Sequence, residues 1–269
     1  LDFQNYDMSL KEFKVIFWWE WAHRFLGRLI GISFLLPLIF FSIKEGFKKL
    51  FYLYIIFFLI CFQGFIGWYM VSSGLIDRVD VSHFRLSIHL IIAFIIISLI
   101  LWGYLKLKIR NIVYEKINFY YPAIFLVLIF CQIIMGAFVS GMDAGQIYNT
   151  WPLMGSNYFP DDSNFFDLLK VSVFSNPSLV QFLHRNVAYV IVLFYFIILF
   201  KIYKNKLLKL FIPIKIVGVI LFIQVILGIL TLLYGAQIYL ASMHQICSIF
   251  LVGSVVYLLY LNSNQRLSN

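Results

Sequence analysis

Apolar residues run through this chain in blocks of about twenty, without the alternation of a half-buried strand or the narrow stripe of a surface helix. Seven such blocks cover roughly 15–42, 50–73, 86–105, 119–142, 178–201, 207–235 and 238–262. A run of about 20 apolar residues matches a helix that crosses a hydrocarbon core about 30 Å thick. Backbone groups in lipid have to be satisfied within the segment, so blocks of this length are helices, whereas barrel strands are half as long and alternate in polarity. The pattern predicts an all-α, polytopic membrane helix bundle with seven visible transmembrane helices.

Composition sharpens this. The chain is 62% hydrophobic and 20% aromatic with only 12% charged residues, against about 25% charged in an average soluble domain. A net charge of +9 would point to nucleic acid in a soluble protein, but here the cations sit in short loops between spans and set topology instead. Lys44, Lys48 and Lys49 follow the first span, Lys106, Lys108, Arg110 and Lys116 the third, and Lys201, Lys204, Lys206 and Lys209 the fifth. Those loops are expected on the cytoplasmic or matrix side. The N-terminus and the acidic loop 143–177, with Asp143, Asp161, Asp162 and Asp167, then face outward.

Tyr148, Trp151, Tyr158, Phe159, Phe165 and Phe166 of that loop are expected to lie along the membrane interface as an aromatic belt; a lid over a ligand crevice is the second reading. Cys61, Cys131 and Cys247 fall within spans, which leaves no disulfide pair in the outer loops, and they read as buried small apolar residues. The first fourteen residues are polar, with Asp2, Asp7 and Glu12, and contain no signal peptide. Leu1 in the place of Met points to processing or to a longer parent chain.

The chain repeats itself. His23-Arg24 near the start of the first span recurs as His184-Arg185 near the start of the fifth, and each is followed forty residues on by a glutamine, Gln63 and Gln224. Each glutamine precedes a glycine by four, Gly67 and Gly228, and His89 and His244 complete the two series. Gln132 and Gly136 in the fourth span have the same spacing but no counterpart before the first series. The expectation is therefore an eight-helix parent of two four-helix halves, 1–118 with its first helix missing and 119–269. The plainer reading of Gln-x-x-x-Gly is close helix packing at a small residue.

Four histidines, His23, His89, His184 and His244, stand near the outer ends of their spans. Ionisable residues in spans are costly, face the bundle interior and mark sites. Two imidazoles from facing helices are a common way to ligate haem iron, and two pairs imply two haem positions. Zinc is the weaker reading because no cysteine or carboxylate cluster completes a tetrahedral site. Gly27 and Gly31 leave one helix face after His23 bare, and Arg85 lies one turn before His89. Arg24, Arg85 and Arg185 suit haem propionates, with interfacial anchoring as the alternative. His83 is assigned to the surface.

Glu20 distinguishes the halves. It lies three residues before His23, where the second half has the neutral Gln181 before His184. A carboxylate kept in a span at a cost of about a few kcal/mol suggests a reaction site at His23 and His89 and a resident, electron-relaying haem at His184 and His244. Simple pairing of Glu20 with Arg24 or Arg28 is the alternative.

These residues resemble the haem A synthase family, particularly its mitochondrial and proteobacterial branch. The matching stretches are Glu20-Trp21-Ala22-His23-Arg24 with Gly27, Arg28 and Gly31, Gln63-Gly64, the segment 67–75, Arg85-Leu86, His89-Leu90, the segment 136–145, Tyr148-Asn149, Pro152 to Met154, Gln181-Phe182, His184-Arg185, Gln224 to Leu232 and His244-Gln245. They run nearly the whole chain. The family has eight helices, and its first has no match here. The outer-loop cysteine pair of another branch is also missing, and His83 stands where glutamine is the norm.

The resemblance implies oxidation of a ring methyl of haem O to the formyl group of haem A by successive hydroxylation. By motif, His23 and His89 would hold the substrate haem O, Glu20 would assist proton removal or stabilise developing positive charge, and His184 and His244 would ligate haem b. It implies haem O synthase as a partner, an electron acceptor that no motif identifies, and a place in a bacterial cell membrane or mitochondrial inner membrane; the oligomeric state is left open, a homo-oligomer included. A di-haem cytochrome b that only carries electrons needs the four histidines but not Glu20. A transporter would show helices broken near their middle, and Pro37 and Pro213 read more simply as tolerated kinks.

Overall fold

The computed structural model describes residues 8–74, 81–109 and 116–263. Among these residues there are seven long helices and no sheet, the one β contact being a bridge between Met154 and Asn157. The helices are α1 (Leu10–Glu45), α2 (Phe51–Gly74), α3 (His83–Lys108), α4 (Tyr120–Gly141), α5 (Pro177–Lys204), α6 (Leu208–Leu233) and α7 (Ile238–Ser263). All seven are long and apolar enough to cross a membrane, so the protein is a polytopic membrane protein of the class its hydropathy predicts. Each is continuous, and Pro37 and Pro213 lie inside α1 and α6 without ending them.

The chain forms two compact units, Leu1–Arg85 and Leu86–Asn269. The first is a helical hairpin. Ser9 caps α1 by a reciprocal capping box with Glu12, which starts the helix earlier than hydropathy alone indicates. At its far end the chain turns at Gly46, whose φ of 81° favours a residue without Cβ. The 36 residues of α1 extend about 54 Å at 1.5 Å per residue, enough to carry both ends past the hydrocarbon. Phe34 stacks on Phe57, and Ser42 Oγ meets Tyr54 Oη at 2.7 Å, which joins α1 to α2. Among the described residues of the hairpin only Leu38 and Ile56 are buried. Lipid is as apolar as these side chains, so contact geometry and not expulsion from water selects what is covered.

In the second unit, α4 packs on α5 and α7, and α6 on α5 and α7. Phe125, Ile198, Leu210, Ile214, Val252 and Leu258 are fully buried between them. Trp102 of α3 meets Tyr260 of α7 edge-on at 5.1 Å. At the C-terminal end of α7, Asn262 accepts from the Ile117 N–H at 2.9 Å and donates to its carbonyl at 3.1 Å. That fastens the start of the α4 segment to the end of α7.

The expectation that the cysteines are buried is overturned. Cys61 and Cys131 are exposed and Cys247 is half-buried. A thiol in a lipid-facing position costs nothing that burial would recover, because the surrounding solvent is itself apolar.

Candidate functional site

The recurring Gln-x-x-x-Gly spacing places glutamine and glycine one turn apart on one helix face. In the second unit that face carries a histidine from the next helix. A Cβ built on Gly136 of α4 would stand 3.2 Å from Cε1 of His184 on α5, and one on Gly228 of α6 would stand 3.0 Å from Cε1 of His244 on α7. The imidazole rings thus rest directly on bare helix backbone. Small residues do permit close approach, as the plainer reading of the motif holds, but what approaches is a histidine ring.

The glutamines complete the cradles. Gln132 Nε2 lies 3.3 Å from His184 Nε2 and donates to the His184 backbone carbonyl at 2.9 Å. Gln224 Nε2 lies 3.5 Å from His244 Nε2. Nδ1 of each ring is buried without a hydrogen-bond partner, an arrangement that native interiors avoid unless the site has a further occupant or role.

The other sequence-singled residues divide as follows. His23 is exposed on α1 in the first unit, and His89 is half-buried on α3 in the second. Glu20, one turn before His23, makes an ion pair with Arg24 on the same face, so of the two readings of this carboxylate the structure contains the pairing. Both side chains are about half exposed, at 48% and 51%. Arg85 lies over the Tyr69 ring, 4.9 Å from its centroid. His83 opens α3 with its ring 4.2 Å from that of Phe84. Among the described residues no group of three or more His, Cys, Asp or Glu converges as a metal site would require. Two-imidazole ligation of an iron already held by four porphyrin nitrogens needs no such group.

Arg185 is occupied in a way the sequence did not indicate. Its Nη1 donates to the carbonyls of Thr150 and Leu153 at 2.9 and 3.1 Å, and its Nη2 to that of Tyr148 at 2.9 Å. Nε remains, buried and without an acceptor. Gln181, at the position matching Glu20, donates to the Tyr148 carbonyl at 3.1 Å. The amide at this position donates to the backbone of the loop 143–177, a task a carboxylate cannot perform.

That loop is folded and tied down. Met154 is fully buried. Asn149 donates to the carbonyls of Gly145 and Leu232, both at 2.8 Å, so it satisfies a C-terminal carbonyl of α6. Tyr158 Oη donates to Asn186 at 2.6 Å, and Ser178 Oγ to Asp162 at the same distance. Phe165 and Phe166 are exposed at 67% and 73%, whereas Phe159 packs edge-on against Phe182 of α5. Asp167 accepts from Lys170 at 2.7 Å and from the Asn164 N–H at 3.1 Å, which holds its carboxyl below the ordinary carboxylate value.

Residues 1–256 match the family described as cytochrome oxidase assembly protein. The haem A synthase of Pelagibacter ubique (strain HTCC1062) is 49% identical over 264 residues, which is 97% of this chain and 77% of the relative. That of Wolbachia pipientis wMel is 39% identical over 261 residues, 95% of this chain and 73% of its own. That of Rickettsia africae (strain ESF-5) is 41% identical over 269 residues, 96% and 78%.

Proposed function

This chain belongs to the cytochrome oxidase assembly protein family that includes the haem A synthases, and from that premise we propose that it oxidises the ring methyl of haem O to the formyl group of haem A. The observation that carries the reading onto this chain's own residues is the pair of histidine cradles, Gln132 and Gly136 under His184, and Gln224 and Gly228 under His244. They suit a resident haem b. Cε1 of each ring lies close over its glycine, and Nε2 of each faces a glutamine amide, which supports a role beyond packing. His184 and His244 would hold its iron, and when bound it would supply one-electron transfer.

Haem O is the substrate. By motif His23 and His89 are its expected ligands, and Glu20, on α1 with His23, would assist proton removal or stabilise developing positive charge. Arg24, Arg85 and Arg185 would direct carboxylates of the two porphyrins, with the Arg185 Nε the donor still available on that residue. The halves 1–118 and 119–269 thus divide substrate from resident haem. Lysine-rich loops lie on the cytoplasmic or matrix side of a bacterial cell membrane or mitochondrial inner membrane. Haem O synthase would deliver the substrate, and a separate electron acceptor would complete the oxidation.

One observation favours the electron-only cytochrome: the Glu20 carboxylate is held by Arg24. The readings separate in cells that make haem O, with haems extracted and resolved by chromatography and mass spectrometry. Haem A or its hydroxylated intermediate, appearing only with the full-length gene, supports the synthase; haem b bound with haem O unaltered supports the cytochrome. Glu20→Gln is expected to keep both haems and stop turnover. An unchanged rate in that variant rejects the catalytic role of Glu20.

A further inference from the structure

The contact between Gln132 and His184 specifies more than a helix pair. The amide atom 2.9 Å from the His184 backbone carbonyl oxygen has to be the NH2 group, because a carbonyl only accepts, and a reversed amide would press two acceptor oxygens together. The orientation of the Gln132 side chain is therefore determined by the backbone. The same NH2 group stands 3.3 Å from His184 Nε2. A donor facing Nε2 requires a lone pair there, and a neutral imidazole with its lone pair at Nε2 carries its proton at Nδ1.

We propose that Gln132 is a positioning residue that sets the tautomer of His184, keeping the proton on Nδ1 and presenting the Nε2 lone pair to haem iron. The proposal rests on the reading of His184 as a haem ligand. Gly136 supplies the second constraint, since its bare backbone under Cε1 fixes the depth of the ring while Gln132 fixes its protonation. Iron that takes the lone pair displaces the Gln132 N–H from it, and the amide keeps the His184 carbonyl as its acceptor, so it yields Nε2 without being left unpaired. The ring is thereby held in the form that ligates, without a competing proton to displace. Gln224 stands in the corresponding place beside His244 at 3.5 Å, the longer and weaker version of the contact.

The test uses the full-length chain in lipid nanodiscs, with Gln132→Met, which keeps length and bulk but has no N–H, and Gln132→Glu, whose acceptor oxygens favour a proton on Nε2. Haem-to-protein ratio and the low-spin bis-histidine signature are read on the holoprotein. Nitrogen chemical shifts of labelled histidine are read on the chain made in haem-deficient cells. Wild type is expected to show an unprotonated Nε2 at His184, and Gln132→Glu to move the proton onto it. Haem affinity at this site should fall about tenfold or more in Gln132→Glu, in the range typical for partners of metal-ligating histidines, and less in Gln132→Met.

A protonated Nε2 in wild type, or a Gln132→Met protein with wild-type haem affinity and an unaltered low-spin signature, overturns the proposal. Should Gln132→Glu fail to fold, the Met variant and the wild-type tautomer decide alone. His184→Ala separates the two levels. If it keeps wild-type haem spectra, the ligand assignment falls and the proposal with it; if it loses the low-spin haem while both Gln132 variants behave as wild type, the tautomer proposal alone falls.

Discussion

Gly228→Ala is the sharpest test of the histidine cradle. The new Cβ would stand 3.0 Å from Cε1 of His244, whereas carbon–carbon contacts settle at about 3.5–4.0 Å. The ring has to withdraw by roughly half an ångström or more, and a side chain turned about 30° from its rotamer costs roughly 0.5–1.5 kcal/mol. Alanine is favoured over glycine in a helix interior by roughly 0.8–1.0 kcal/mol. The two terms nearly cancel, so overall stability should stay within about 1 kcal/mol of wild type while the ring leaves its place.

Gly253→Ala in α7 is the internal control, because its Cβ would meet only Leu101 Cδ2, at an ordinary 3.7 Å. That variant keeps the propensity gain of about 1 kcal/mol without the clash. Thermal unfolding in detergent, together with haem content and the low-spin absorption of both variants, gives the comparison. Gly253→Ala is expected to be more stable with an unaltered spectrum, and Gly228→Ala to be of near wild-type stability with a weakened low-spin signal. A Gly228→Ala protein that matches Gly253→Ala in both respects would refute the argument.

Three further outcomes follow from the outer loop. Arg185→Lys leaves one ammonium to serve three carbonyls and should loosen the segment around Tyr148 to Leu153 by about 2 kcal/mol, read as faster hydrogen exchange or proteolytic cleavage there. Asn149→Ala removes the 2.8 Å bond to Leu232 that joins the loop to α6 and the 2.8 Å bond to Gly145 within the loop and should cost about 1–3 kcal/mol, seen as a lower unfolding temperature. Asp167 has a lowered pKa in the folded chain, so its contribution is fully present above the ordinary carboxylate range and is lost as pH falls through the lowered value. Asp167→Asn should remove that acid sensitivity of the loop in a pH series of hydrogen exchange, and an identical series in the variant would count against the contact.

The spans and the chain-long spacing of histidine, glutamine and glycine were legible in the sequence because each depends on local order alone. A span is recorded in length and hydropathy, which lipid tests residue by residue. Helix ends were less exact. Ser9 extends α1 to Leu10 and Gly46 closes it after Glu45, through side-chain and backbone hydrogen bonds that hydropathy does not register.

The partners of the polar groups belong to the tertiary structure. That Arg185 holds the Tyr148–Leu153 segment, that Gln181 donates where Glu20 pairs with Arg24, and that Gly136 and Gly228 lie under imidazole rings all depend on which helix comes alongside. The exposure of Cys61 and Cys131 depends on it too. In lipid no apolar driving force ranks one helix face above another, so shape and hydrogen bonding between neighbours decide which faces meet. The sequence by itself determined that four histidines would sit in membrane helices beside a repeated glutamine and glycine; only the packing of α4 on α5 and of α6 on α7 decided that each glutamine would face a ring nitrogen and each glycine a ring.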